Sequence, residues 1–481
     1  MDPKENKRRL WKSVDFDVYQ KHVTISTIGS TTESAEEIDD KIVYMEDLEK
    51  RKQVYGICGE CNEPGTGDDW CQPCNAKKFK DNFKNWTSGN KDIDEFIQQS
   101  QLNAVYYKKY LEWIPFENFK DITYITRGGF GKIYSAEWPE GYIKYWHIVN
   151  QKWYRISDTK VALKSLDNSY CISTEFLNEI KTHLQIYLWD VIQCYGITQD
   201  PNTKDYMMVL EYCGGGNLRN HYMNHESGYY LKINELIRIA SGLLDIHNAE
   251  KVHKDFHSGN ILYDGDPFIS DLGMCQPANN EKQSVKQEGI YGVLPYMAPE
   301  VLRGYQYTKA SDIYSFGIMM NEFISEETPY NNIPHNHALS IKICKGLRPN
   351  IFKYTPKLLA DLITKCWDAK AENRPTTKEL YQILYKLDNE EYDDSDIKSI
   401  VSQINEYDDK IKLNRTSEKR SNNIQTHPQA IYTSRLLNFK NLPEPVNLDF
   451  TKTTLLSECF DCQLDELDLN EINQDEENNT E

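Results

Sequence analysis

The 481-residue chain has no apolar run approaching the roughly 20 residues needed to cross a bilayer. It also lacks a basic excess: 55 Lys and Arg stand against 74 Asp and Glu, a formal net charge of −19. A nucleic-acid surface needs a basic stripe, so this balance argues against one and favours solubility and basic partners or substrates. No apolar stretch follows the charged start Met1-Asp2-Pro3-Lys4-Glu5-Asn6-Lys7-Arg8-Arg9, so no secretory signal is expected there. Without secretion, the twelve cysteines read as reduced thiols or metal ligands rather than disulfides. The expected compartment is the cytosol, with the nucleus as the alternative that the short basic cluster leaves open. No internal repeat is visible.

What the chain does contain is a set of residues suited to phosphoryl transfer. His253-Lys254-Asp255-Phe256-His257-Ser258-Gly259-Asn260 is followed by Asp271-Leu272-Gly273. Asp255 can accept or orient the proton of an attacking hydroxyl, while Asn260 and Asp271 offer oxygens to magnesium. Upstream, Ile125-Thr126-Arg127-Gly128-Gly129-Phe130-Gly131-Lys132-Ile133 forms a Gly-rich turn between β-type residues. Such a turn lets backbone N–H groups approach phosphates that a Cβ would keep away; taken alone, it also reads as an ordinary hairpin. Val161-Ala162-Leu163-Lys164 is a short apolar strand ending in a cation. Glu179, in the helical pattern Glu175-Phe176-Leu177-Asn178-Glu179-Ile180, is placed to pair with Lys164, and Glu175 is the alternative partner.

Together these segments resemble, in chain order, the motifs of eukaryotic protein kinases. Ala298-Pro299-Glu300, Asp312-Ile313-Tyr314-Ser315-Phe316-Gly317 and Glu372-Asn373-Arg374-Pro375 extend the resemblance downstream. It implies an α+β, two-lobed protein-kinase fold over residues 117–388, with a small, mainly antiparallel β lobe carrying a C-helix and a large helical lobe. ATP with Mg²⁺ or Mn²⁺, and protein substrates in intracellular signalling, follow from the same resemblance. Asp255, Lys164, Asn260, Asp271 and Glu179 become the expected catalytic set, with Asn260 and Asp271 as magnesium ligands. Ile125, Thr126, Gly128, Gly129, Gly131, Ile133 and Ala162 are implied around the nucleotide, and Lys164 at its α- and β-phosphates. Leu210 would guard the pocket behind the adenine, with the backbone of Glu211 and Cys213 bonding the base edge. Asp312 is implied to hold the catalytic-loop backbone, and Arg374 to lock Glu300 in a buried ion pair.

Four positions depart from the family pattern. Thr126 replaces the first glycine of the loop, and Lys254 stands where Arg is usual and cannot make bidentate contacts with a phosphorylated loop. His257 and Val293 stand where serine/threonine kinases usually carry Lys and Thr. The chain looks most like the tyrosine-kinase-like branch of serine/threonine kinases. A nucleotide-binding scaffold is the competing reading, motivated by the same four residues. Between Asp271 and Glu300 the hydroxyls are Ser284, Tyr291 and Tyr296. Ser284 is the expected control site, and Tyr296 is expected to be structural.

Outside this region, Cys58-Gly59-Glu60-Cys61 and Cys71-Gln72-Pro73-Cys74 make two Cys-x2-Cys knuckles. Four soft ligands with no open position suit a structural Zn²⁺. Residues 51–86 are therefore expected to form a small zinc-ribbon-like unit whose folding depends on the metal. A protein partner is among the open possibilities for it. Residues 1–50 are expected to be mostly without fixed structure. Residues 87–116 read as a helical linker, packed on something, that joins the cysteine unit to the kinase yet keeps the two separate, with Ile93, Phe96, Ile97 and Ala104 at helical spacing. The aromatic segment from Tyr142 to Tyr154 reads as a hairpin, or else a docking surface. Residues 389–481, which include Ser434-Arg435-Leu436-Leu437-Asn438-Phe439, form a polar, acidic tail expected to be largely disordered.

Overall fold

In the computed structural model the described residues are 10–15, 19–25, 42–128, 131–166, 173–186, 189–224, 228–278, 289–388 and 426–447. Among them, no helix is long and apolar enough to cross a membrane.

The N-terminal part is built on three helices, α1 (Leu48–Tyr55), α2 (Gln72–Asn82) and α3 (Lys91–Asn103). Asp47 caps α1 by accepting from the Lys50 amide, and Asn90 caps α3 by accepting from the Asp92 and Ile93 amides. Helix α2 starts directly from Cys71, with Pro73 in its first turn, so the second knuckle is rigidly joined to a helix. Part of the first 50 residues is packed, contrary to expectation. Val14, Val23 and Val43 bury themselves against Val54, Tyr55 and Val105, covering the back of the cysteine unit. A unit this small needs that added apolar surface to offset its ordering entropy.

The small lobe is a six-stranded sheet in the order β1-β7-β8-β6-β3-β2. Its strands are β1 (Glu112–Trp113), β2 (Lys120–Gly128), β3 (Gly131–Trp138), β6 (Thr159–Leu166), β7 (Cys194–Gln199) and β8 (Tyr206–Glu211). Only β1 pairs in parallel, with β7; the remaining neighbours are antiparallel. The aromatic segment forms a separate hairpin of β4 (Tyr142–His147) and β5 (Lys152–Ile156). Helix α4 (Thr174–Gln185) is the C-helix, capped by Ser173.

The expected separation of cysteine unit and kinase does not hold. Trp153 of the hairpin stacks on Phe79 at 4.7 Å and on Trp70 at 6.2 Å between ring centroids. Glu60, inside the first knuckle, accepts from Trp146 Nε1 at 3.1 Å and pairs with Lys78. The linker helix, expected to pack on something, packs on α4: Ile93 and Ile97 share one apolar cluster with Phe176 and Ile180. Lys109 donates to the Leu184 and Ile186 carbonyls at the end of α4. Aromatic and apolar faces of this size are more stable buried than solvated, and they close the gap.

The large lobe contains α5 (Leu218–Asn224), α6 (Tyr229–Asn248), α7 (Pro299–Leu302), α8 (Lys309–Ser325), α9 (His337–Cys344), α10 (Lys357–Cys366) and α11 (Thr377–Asp388). The stripe Leu236, Ile239, Ala240, Leu243 and Ile246 on α6 is buried beneath the catalytic loop, in one core with Phe256, Ile261 and Ile269. Short paired strands frame that loop: β9 (Lys251–Val252) with β12 (Gln276–Pro277), and β10 (Ile261–Tyr263) with β11 (Pro267–Ile269). Gly317 is required where α8 meets α10, because a Cβ there would lie 2.7 Å from Cys366 Cβ.

Residues 426–447 depart from the expectation for the tail. They lie along the large lobe, and β14 (Arg435–Leu437) pairs antiparallel with β13 (Ile290–Gly292). Leu437 enters the large-lobe core, with Tyr432, Phe439 and Leu442 packed on it. Enough apolar side chains fall within this short stretch to order it, although the composition of the whole tail is polar.

Candidate active site

The cleft between the lobes is organised by a buried cation. Lys164 on β6 donates to Glu179 Oε1 on α4 at 2.8 Å and to Asp271 Oδ1 at 2.8 Å. Glu175, the alternative partner, is exposed. Burial alone would lower the Lys164 pKa, but the two carboxylates hold it above its ordinary value. Burial opposes ionisation of Asp271, yet the Lys164 charge keeps it below the usual carboxylate range. Gly273 lies so close that a Cβ there would stand 3.0 Å from Glu179 Oε2.

Asp255 is 4% exposed. Asn260 Nδ2 donates to the Asp255 carbonyl at 2.9 Å and to its Oδ2 at 3.2 Å. Ser270 donates from both its amide and its hydroxyl to the Asn260 carbonyl, each at 2.8 Å, which ties the catalytic loop to Asp271. His257 Nε2 stands 3.7 Å from Asp255 Oδ1, an electrostatic approach rather than a hydrogen bond. Burial would raise the Asp255 pKa, but the His257 imidazole and a hydrogen bond from Ser434 hold it below the ordinary range. Asp255 therefore stands as a carboxylate able to accept a proton from a hydroxyl.

Two non-glycine residues here occupy the left-handed region, Lys254 at φ 72° and Asp271 at φ 58°. Such strain costs about 1–3 kcal/mol per residue and persists only where neighbours impose it. Asp312 on α8 imposes it at the loop: its carboxylate accepts from the His253 amide at 2.7 Å and the Lys254 amide at 3.0 Å. The Lys254 side chain lies 4.9 Å over the Tyr307 ring. Val293 is buried, and Tyr296 is buried with its hydroxyl donating to Glu322 at 2.6 Å. Arg374 makes the paired contacts with Glu300, at 2.7 and 2.8 Å.

Around the expected nucleotide position, Thr126 pairs with Ile133 and Gly128 with Gly131 across the β2–β3 turn, and Ile125 is exposed. Gly129 and Ser284 lie outside the described residues. Ala162 pairs with Leu210 across β6 and β8. The Glu211 amide is held by the Gln193 carbonyl at 2.9 Å, and burial pushes the Cys213 thiol up to about 12, which makes it a poor nucleophile.

Three positioning residues escaped the sequence reading. Arg51, 5% exposed, donates to the carbonyls of Met45, Pro64 and Gly65 and so fixes the turn between the knuckles. Lys109 holds the end of α4. Ser434 Oγ donates to Asp255 Oδ2 at 2.5 Å. No spacing rule announces contacts between residues so distant in the chain.

The four knuckle cysteines converge, with all sulfurs within 4.8 Å of one another. Cys58 and Cys74 sulfurs are 3.8 Å apart, and those of Cys61 and Cys71 are 3.6 Å apart. Tetrahedral Zn–S bonds of about 2.3 Å would place sulfurs about 3.8 Å apart, so the cluster fits the ion. Among the described residues all cysteines are free of disulfides. A hydrogen bond from Cys71 brings the Cys58 thiol down to about 5, while burial and the neighbouring Cys58 push Cys74 up to about 12. Four thiolates this close require a cation before all can ionise.

A β lobe with an ion-paired C-helix, joined to a helical lobe that presents Asp255, Asn260 and Asp271, defines a protein-kinase domain. The family of protein tyrosine and serine/threonine kinases matches residues 119–384, more than half of the chain, and the chain belongs to that family. The tyrosine-protein kinase SPK-1 of Girardia tigrina is 25% identical over 54% of this chain and 51% of its own length. The dual specificity protein kinase zakA of Dictyostelium discoideum is 26% identical over 72% of this chain and 44% of its own. The serine/threonine-protein kinase VIK of Arabidopsis thaliana is 27% identical over 56% of this chain and 60% of its own. The chain thus spans less than two thirds of the length of these curated relatives.

Proposed function

We propose that the chain is an ATP-dependent protein kinase that transfers the γ-phosphate to protein hydroxyls, with serine and threonine as the acceptors, on the tyrosine-kinase-like branch. The observation that carries this reading is the Lys164 bridge to both Glu179 and Asp271, in the same cleft as the Asp255–Asn260 pair. Bound ATP and its Mg²⁺ supply the phosphoryl group and the charge that neutralises it. Lys164 steers the phosphates, and Glu179 fixes Lys164. Asp271, held ionised by Lys164, and the Asn260 amide oxygen would hold the magnesium. Asp255 orients the acceptor hydroxyl and takes its proton. Positioning and electrostatics account for most of the acceleration in such a site. The cysteine cluster is proposed to hold one structural zinc per chain.

Lys164→Met and Asp271→Asn are each expected to abolish nearly all transfer from labelled ATP while the protein keeps its melting behaviour. Wild-type turnover in either variant would falsify the assignment. Phosphate on the bacterially expressed wild type but not on Asp255→Asn supports an enzyme, whereas its absence from both favours the scaffold reading.

A further inference from the structure

We propose that residues 427–447 are a tethered substrate of this kinase, and that Ser434 is phosphorylated within its own chain. The proposal rests on the kinase reading above and deepens it by naming an acceptor. The Ser434 hydroxyl donates to Asp255 Oδ2 at 2.5 Å and lies 3.5 Å from His257 Nε2. That is where an attacking hydroxyl must sit for a carboxylate to take its proton.

The placement is imposed from both sides of Ser434. Downstream, β14 pairs with β13 in the register Gly292↔Arg435, Tyr291↔Leu436 and Ile290↔Leu437. Main-chain pairing of an extended segment with a sheet edge is a general mode of peptide recognition, with alternate side chains entering pockets. Leu437 is 6% exposed in the large-lobe core, whereas Leu436 is 70% exposed, the alternation expected of a bound strand. The Tyr291 hydroxyl donates to the Ser434 carbonyl at 3.1 Å, and Arg435 Nη2 to the His335 carbonyl at 2.6 Å. Upstream, the Tyr432 hydroxyl donates to the Pro329 carbonyl at 2.9 Å, and its ring lies under the Arg219 guanidinium at 4.6 Å. Residues 389–425 provide ample chain for the segment to reach the cleft from the end of α11.

In the step proposed, Ser434 Oγ attacks the γ-phosphorus of ATP. An Oγ–P bond forms, and the bond from that phosphorus to the β,γ-bridging oxygen breaks. ADP leaves with the electron pair, and the Ser434 proton passes to Asp255 and then to solvent. The product places a phosphate of about −1.5 to −2 charges beside the Asp255 carboxylate. That repulsion releases the strand, and the groove opens to other substrates.

The test uses the full chain, stripped of phosphate and incubated with ATP and Mg²⁺ at several protein concentrations. Sites are located by mass spectrometry, and amide exchange is followed at residues 290–292. Phosphate is expected on Ser434, not on the neighbouring exposed Thr433, at a rate independent of protein concentration. Exchange at 290–292 is expected to quicken as the phosphate appears. Leu437→Asp, which removes the apolar anchor, should quicken that exchange without ATP and raise transfer to a generic protein substrate. Transfer to a generic substrate with Ser434 left unmodified would overturn the proposal and leave the kinase reading standing. A Ser434 rate that grows with protein concentration would overturn the intramolecular step. Transfer to no acceptor at all would overturn both readings.

Discussion

At the scale of single residues, the site is a set of charges stabilised by opposite charges or donors. That Lys164, Glu179 and Asp271 meet, and that Asp255 meets Asn260, could be expected from the sequence because their motifs follow the kinase family's order. Their partners were legible where the spacing is local or follows the family pattern, as with Arg374 and Glu300. Arg51 and Ser434 were not, because a hydrogen bond to a distant backbone carbonyl or carboxylate leaves no periodic trace. The Arg374 side chain is fully buried, and its Glu300 partner is 19% exposed. Removing one member of such a pair strands the other charge, at a cost of about 3–5 kcal/mol. Arg374→Ala is therefore expected to lower chemical-denaturation stability by that amount. A loss under about 1 kcal/mol, the range of an exposed pair, would mean that the pair is solvated in the working protein.

At the scale of elements, α3 carries the least obvious consequence. Its apolar spacing was visible, but a stripe on a helix says only that a face is buried, not what covers it. The cover is α4, the element that presents Glu179 to Lys164. Ile93 and Ile97 are fully buried beside Phe176 and Ile180, and Lys109 donates to the Leu184 and Ile186 carbonyls at the end of α4. Linker and the Lys164–Glu179 ion pair are thus joined through α4. Truncating a buried Ile to Ala costs roughly 2–5 kcal/mol. Ile97→Ala should lower the melting temperature and also reduce kcat, since a loosened α4 holds Lys164 less well. A variant that melts lower yet transfers phosphate at an undiminished kcat would show that α4 keeps its position without α3.

At the scale of the whole molecule, the same logic reaches the cysteine cluster. Sequence alone separates a metal-dependent unit from a kinase by a linker, because Cys-x2-Cys spacing and kinase motifs are each self-contained signals. What it does not expose is that Trp70 is fully buried, donates to the Ala104 carbonyl at 2.7 Å, and stacks on Tyr110 and Trp153. Trp70 sits immediately before Cys71, and Cys71 opens α2, whose Phe79 meets the same hairpin. If the metal holds the two knuckles together, it also holds the aromatic stack that seats the unit on the small lobe. Chelation should therefore act on catalysis as well as on the N-terminal fold. The 481-residue chain, treated with a chelator, is expected to lose apolar protection at Trp70 and Trp153, seen as a red shift of tryptophan fluorescence. Its phosphate transfer, with Mg²⁺ held constant, should fall and recover when one equivalent of Zn²⁺ is returned. Cys71→Ser should reproduce the loss without recovery. If chelation instead changed the fluorescence and left transfer untouched, the stack would be a contact of convenience and the two units would work apart.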